Sequence, residues 1–123
     1  MATGYLTNYA AEAILSGVPM PQTLYLQGHT GDPGADADQS TGAMSSRAEF
    51  TVSVTGNSFT NGNTGVSGIN PASEDWTHIS LWDSSSGGSP WWVVALDSTL
   101  SVVMGHEVQM DPDTVVFSLD VWS

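Results

Sequence analysis

The side chains able to do chemistry in this chain are three His, thirteen carboxylates and a scatter of hydroxyls; there is no Cys and no Lys. Without Cys there is no thiol nucleophile, no disulfide and no thiolate metal site. A serine hydrolase elbow needs the spacing G-x-S-x-G, which sets the Ser on a sharp strand-to-helix turn. The string Gly65-Val66-Ser67-Gly68 has its glycines at the wrong spacing for that. His29, His78 and His106 lie far apart. None shows the H-x-x-x-H or H-E-x-x-H spacing that puts two imidazoles on one helix face around a zinc ion. The reading for His29 and His78 is a place at strand ends, hydrogen-bonded to backbone; His106-Glu107 is a pair at a turn.

Asp32, Asp36 and Asp38 crowd one loop, and hard carboxylate oxygens suit calcium. Counted from Asp36, however, the sixth position is Thr41 rather than Gly, and the twelfth is Arg47 rather than a bidentate Glu. The three Asp are therefore read as a solvated acidic loop, and as calcium candidates only in second place. Glu74-Asp75 and Asp111/Asp113 are close in sequence, but a glycosidase needs carboxylates ~5–9 Å apart across a cleft. The expectation is a protein with no catalytic residues, no cofactor and no built metal site.

Two side-chain groups stand out for interaction rather than reaction. Arg47 is the one basic side chain, and a lone guanidinium among carboxylates is expected to form a bidentate carboxylate pair. That would fix a loop to a sheet or bridge two subunits. Trp76, Trp82, Trp91, Trp92 and Trp122 cluster mostly around one hairpin, where Trp82-Asp83 closes the first strand. Aromatic clusters serve as sugar platforms, interface anchors or core. Trp91 and Trp92 are adjacent, so on a strand they face opposite sides. One of them is expected to lie off the main core, as an interface residue.

The elements that must position these residues follow from periodicity. Residues 7–15 read as a helix: Leu6, Tyr9, Ala10, Ala13 and Ile14 recur every three or four positions, Thr3 or Thr7 can cap it, and Ser16-Gly17 stops it. Pro19 and Pro21 prevent its resumption. After Pro21 the period becomes two. Strands are expected at 23–29, 48–55, 58–60, 77–83, 91–96, 100–104, 107–110 and 114–121, with 61–68 a loop or weak edge strand. The Gly, Pro and Asp of 31–42 make a surface loop. Short strands broken by turns every 8–12 residues indicate an all-β fold, an antiparallel β-sandwich of jelly-roll type with one short N-terminal α-helix. The chain is read as a single domain, 1–123, with the helix in 1–17 and the sandwich in 22–123.

Charge narrows the partners. One cation against thirteen anions gives a formal charge of −12, with Asp outnumbering Glu nine to four. There is no basic patch for nucleic acid or for an anionic membrane. No apolar run reaches the ~18 residues of a membrane span, and the N-terminus lacks the basic and apolar stretches of a signal peptide. A Lys-free, Asp-rich surface repels itself in dilute buffer and is relieved in molar salt, where the Debye length falls to ~3 Å. This composition suits a halophilic source.

The string TLYLQGHTGDPG at 23–34 resembles a pattern in small structural proteins of tailed viruses, where a T-hydrophobic-Y-hydrophobic strand precedes a His-Thr-x-Asp-Pro turn. Ser46-Arg47-Ala48 before a Phe/Val strand is similar to the same family. So are Trp76-Thr77-His78-Ile79, Leu81-Trp82-Asp83 and Gly87-Gly88, the opening helix GYLTNYAAEAIL, and the Met104-Gly105-His106-Glu107 turn. The Tyr usual before the Ala-Arg step is replaced by Ser45-Ser46, and His106 stands where the turn Asp is usual. The resemblance implies a non-enzymatic virion protein whose recurrent residues build a turn and a hairpin. With the composition, it implies a tailed virus of a halophilic archaeon. The first expectation is a decoration or turret protein on the head surface, partnered by the major capsid protein and by copies of itself in a trimer or pentamer. The alternative is a tail or tail-fibre adhesion module that stacks host glycan on Trp91 or Trp92.

Overall fold

The computed structural model describes residues 2–43, 46–55, 58–63, 65–66, 70–107, 109–110 and 116–119; of 2–3, 55, 58–59, 66, 109–110 and 116–119 it describes the backbone alone. The strands are β1 (Ala2–Leu6), β2 (Thr23–His29), β3 (Ala48–Thr55), β4 (Ser58–Asn61), β5 (Gly65–Val66), β6 (Glu74–Trp82), β7 (Pro90–Val102), β8 (Gln109–Met110) and β9 (Val116–Leu119). One helix, α1 (Asn8–Leu15), follows β1. The all-β class and the single short N-terminal helix are as the periodicity implies. The sheet, however, closes on itself as a barrel in the order β1-β7-β6-β2-β3-β4-β9, so the two layers of a sandwich are here one continuous wall. A small β5-β8 pair stands apart.

Closure depends on the chain's first strand. Residues 2–6, read from sequence as part of a helical segment, form β1. It pairs antiparallel with β7 (Tyr5↔Val93) and parallel with β9 (Thr3↔Ser118). The two strands expected at 91–96 and 100–104 are one strand, β7, whose polar middle Asp97-Ser98-Thr99 is exposed yet stays extended. A register shift in β6 between Trp76 and His78 lets the far half of β7 pair with Glu74 to Trp76 while its near half pairs with His78 to Trp82. Of the segments expected at 107–110 and 114–121, the described residues 109–110 and 116–119 form β8 and β9.

The helix begins where Thr7 caps it: its hydroxyl oxygen accepts from the Ala10 N–H at 3.1 Å and donates to the Pro90 carbonyl at 2.5 Å. One residue thus ties the helix start to β7. The buried stripe is narrower than the expected face: Ala10 and Ala13 pack inward, while Tyr9 and Ile14 remain largely exposed. A helix of eight residues is marginal alone, and its packing on the barrel holds it. The core comprises Leu24 and Leu26 of β2, Ala48 and Phe50 of β3, Ile79 and Leu81 of β6, and Trp92 and Val94 of β7, joined by Trp91 and the two helix alanines. Alternation explains the set: Leu26↔Leu81, Leu24↔Phe50 and Ile79↔Val94 are direct cross-strand partners facing one side.

Candidate functional site

Three residues singled out in the sequence, His29, His78 and Trp82, share the outer face of the β2–β6 wall. Register places Tyr25 opposite Trp82, Gln27 opposite Ser80, and His29 opposite His78, all on the face away from Leu26 and Leu81. Polar residues on an outer face are ordinarily wet. Here Gln27, His29 and Ser80 are buried. The loop 30–43 folds back over them and is stapled along its length. Thr30 N–H donates to the Ser40 carbonyl at 2.9 Å, and Gly42 N–H to the Gly28 carbonyl at 2.8 Å. Gln27 Nε2 donates to the Gly28 and Gly42 carbonyls at 3.1 and 3.4 Å.

His29 is the centre of this row. Its Nδ1 lies 3.0 Å from the Gln39 carbonyl and its Nε2 2.6 Å from Ser80 Oγ. Trp82 Nε1 lies 2.7 Å from the same hydroxyl. The polarity of the chain follows from its ends. An indole N–H only donates and a carbonyl only accepts, so Trp82 donates to Ser80, Ser80 donates to Nε2, and Nδ1–H donates to Gln39. Burial pushes the imidazole below its ordinary range; the Gln39 carbonyl opposes this, and the positive fields of His78 and Arg47 reinforce it. His29 thus sits at a strand end bonded to backbone, as expected. His78 does not: it lies within β6, with Nδ1 2.8 Å from Thr77 Oγ1.

Next to this row is a corner built by Arg47, Trp82 and Asp83. The guanidinium carbon stands 4.2 Å from the Trp82 ring centroid. Its Nη1 donates to the Ser84 and Gly87 carbonyls at 2.8 and 2.7 Å. Arg47 therefore fixes a loop to the sheet, but through carbonyls and an aromatic face rather than the carboxylate fork expected from sequence. The reason is local: Asp83 is engaged, its Oδ1 accepting from Ser89 N–H at 2.8 Å and its Oδ2 lying 3.5 Å from Trp91 Nε1. Burial pulls the Arg47 guanidinium down from its ordinary range, and Asp83 opposes that. Gly88 is required at the turn. Its φ is +74°, and a Cβ there would sit 2.4 Å from Asp83 Oδ1.

The tryptophan expectation is corrected. Trp91 and Trp92 are both buried, at 1% and 2% exposure, and both belong to the one core cluster. Trp92 lies opposite Leu81 in the core, and its Nε1 approaches Met20 Sδ at 3.0 Å. Trp91 shares that cluster with Ala10 and Ala13 of the helix, and Tyr9 meets its ring edge-on at 5.7 Å. Neither ring offers a free face to a sugar. The calcium candidates also fail to converge. Asp32 Oδ1 accepts from Gly34 N–H, Asp36 Oδ1 accepts from Asn8 Nδ2, and Asp38 is exposed. Among the described residues no three acidic or imidazole groups come together around a cation position. Ser67, Asp111, Asp113 and Trp122 lie outside the described residues.

Sequence reasoning missed Gln27 and Ser80 of this row, and a second set at the far end of the loop. Glu74 Oε1 accepts from Trp76 Nε1 at 2.8 Å and from Ala43 N–H at 2.7 Å, closing the far end of the loop. Trp76 lies flat on Gly28, where a Cβ would fall 2.2 Å from the ring. A glycine inside an alternating strand was the available signal for such a close approach.

No curated protein compared with the chain matches it. A family model described as podophage GP4 fiber I protein gp80 matches residues 1–118, nearly the whole chain and every element above except the last residue of β9. The matched span takes in the covered row, the Arg47 corner and the barrel closure, all of them devices for holding a shape. The chain therefore belongs to the podophage GP4 fiber I protein gp80 family, and is a structural protein of a tailed-virus virion.

Proposed function

We propose that the protein is a non-enzymatic component of the tail apparatus, a fibre subunit or the domain that seats one. The observation that carries this reading is the family match over residues 1–118, whose description names a fibre. Head-surface decoration, the first expectation from sequence, has no comparable support and becomes the lesser reading. Host-glycan stacking on Trp91 or Trp92 is dropped, because both rings are buried.

Assembly with copies of itself, as a trimer or pentamer, and with other virion proteins belongs to the same proposal. The sequence argument for it was unpaired sheet edges. Barrel closure pairs those edges, so support now rests on exposed apolar side chains: Tyr5 on β1, Leu15 and Val18 at and beyond the end of α1, and Val103 and Met104 beyond β7. A halophilic archaeal host is proposed from the charge of −12 with no Lys.

Mass spectrometry of purified virions, with heads and tails separated, tests the location. A few copies per particle travelling with tails supports the fibre reading; hundreds travelling with heads overturns it. Melting the isolated protein across NaCl concentrations tests the halophilic origin. The midpoint is expected to rise steadily from 0.1 M towards molar salt, at concentrations on the order of those that shorten the Debye length to ~3 Å. A flat or falling midpoint rejects it.

A further inference from the structure

We propose that the loop 30–43 is a proton-controlled cover, locked over the β2–β6 wall by neutral His29 and released when that imidazole gains a proton. Three independent features of the fold lead there. First, the lock has one polarity. Trp82, Ser80, His29 and Gln39 form a single donor-to-acceptor chain, and it needs an unprotonated Nε2. A proton on Nε2 occupies the place of the Ser80 hydroxyl hydrogen. Ser80 Oγ must then accept from both His29 and Trp82, and its own hydrogen turns away inside a fully buried site.

Second, the surroundings disfavour the cation. The charged groups that act on His29 are His78, its cross-strand partner, and Arg47, and both repel added positive charge. Carboxylates on neighbouring elements are committed elsewhere: Glu74 to Trp76 and Ala43, Asp32 to Gly34, Asp36 to Asn8, Asp83 to Ser89, while Asp38 is exposed. None of them acts on the imidazole among the described residues.

Third, the loop is held under backbone strain. Ala37 and Ser40 take φ of +54° and +50°, in the left-handed region that L side chains rarely adopt. Ser40 neighbours the His29 acceptor, Gln39, so loss of the His29 bond and relief of strain act in the same direction. The loop also anchors the helix start, through Asn8 N–H to the Ala35 carbonyl at 3.0 Å and Asn8 Nδ2 to Asp36. Opening it uncovers Gln27, His29 and Ser80 and frees the first turn of α1, which changes the surface beside Tyr5 and Tyr9.

The sign follows from burial. The folded state holds His29 below its ordinary value of 6.5, so the unfolded chain binds the proton more readily. The lock is fully present above pH 6.5 and is lost as pH falls below it through the folded value.

The test is amide exchange on the full chain in molar NaCl, from pH 7.5 to 4.5, with the imidazoles followed by nitrogen-15 NMR. Intrinsic exchange slows on acidification, so a faster loop is distinctive. After that correction, the amides of Thr30, Gln39 and Gly42 are expected to exchange at least tenfold faster at pH 4.5, with Val94 of the core unchanged. The midpoint is expected to coincide with the titration of His29. His29→Gln removes the pH response and His78→Gln retains it. Loop exchange that stays flat to pH 4.5 overturns the proposal. So does a response that survives in His29→Gln. Should that variant not fold, a wild-type midpoint that follows His78 or His106 instead of His29 overturns it equally.

Discussion

The two faces of the β2–β6 wall are both shut off from water, by opposite means. The inner face is closed by side-chain volume: Leu24, Leu26, Ile79 and Leu81 pack against Phe50, Trp92 and Val94. The outer face is closed by a loop, with Gln27, His29 and Ser80 held in hydrogen bonds beneath it. Apolar packing is non-directional and tolerates small adjustments. A buried polar row does not, because each donor and acceptor left without a partner carries its full desolvation cost. The inner face therefore supplies stability, and the outer face supplies one defined arrangement of the loop and the Arg47 corner.

Four substitutions separate these roles, taken from the largest effect to the smallest. Leu81→Ala empties a fully buried site between β2 and β7. It is expected to lower unfolding free energy by about 2–5 kcal/mol, read as a lower denaturant midpoint at unchanged slope. Ser80→Ala strips the partner from both His29 Nε2 and Trp82 Nε1, for a loss of about 1–3 kcal/mol. Its tryptophan fluorescence is expected to change with it, since the Trp82 indole loses its acceptor. If Ser80→Ala melts like the wild type, the outer row is decoration and the contrast between the faces fails.

Thr7→Ala removes the helix cap and the tie to Pro90, at about 1 kcal/mol, and a drop in the far-ultraviolet helix signal checks it. Arg47→Lys keeps the charge but loses the flat guanidinium over Trp82. It is expected to cost about 0.5–1 kcal/mol and to raise the exchange rate of amides in the 83–89 turn. An Arg47→Lys protein identical in that turn would mean the stacked geometry contributes nothing.

The sequence showed the inner face far better than the outer. Alternation in TLYLQGH, AEFTVSVT and THISLW marks the strands and their buried side, because period two is a property of the strand itself. The same alternation assigns Gln27, His29 and Ser80 to solvent. What buries them is a Gly- and Asp-rich loop with no apolar residue pattern, held by main-chain carbonyls that any sequence carries. β1 escaped for a different reason. Ala2 to Leu6 does not alternate, and it is a strand because β7 and β9 pair with it across the whole chain length. Arg47 was legible as a loop anchor, whereas its acceptors, two turn carbonyls, have no signature. Adjacency of Trp91 and Trp92 suggests opposite faces, but the irregular register beside Trp91 and the burial of both rings in one cluster are tertiary facts.

The barrel closes by setting β1 beside β9 in parallel, with Ala2 opposite Phe117 and Gly4 opposite Leu119. The first residue of β1 and the last residue of β9 therefore lie at opposite ends of the same seam. Tension applied between those two strand ends slides the strands along one another, so that the bonds of the seam bear the load together rather than one after another. A hairpin pulled from its open end unzips; this junction resists as a lap joint does.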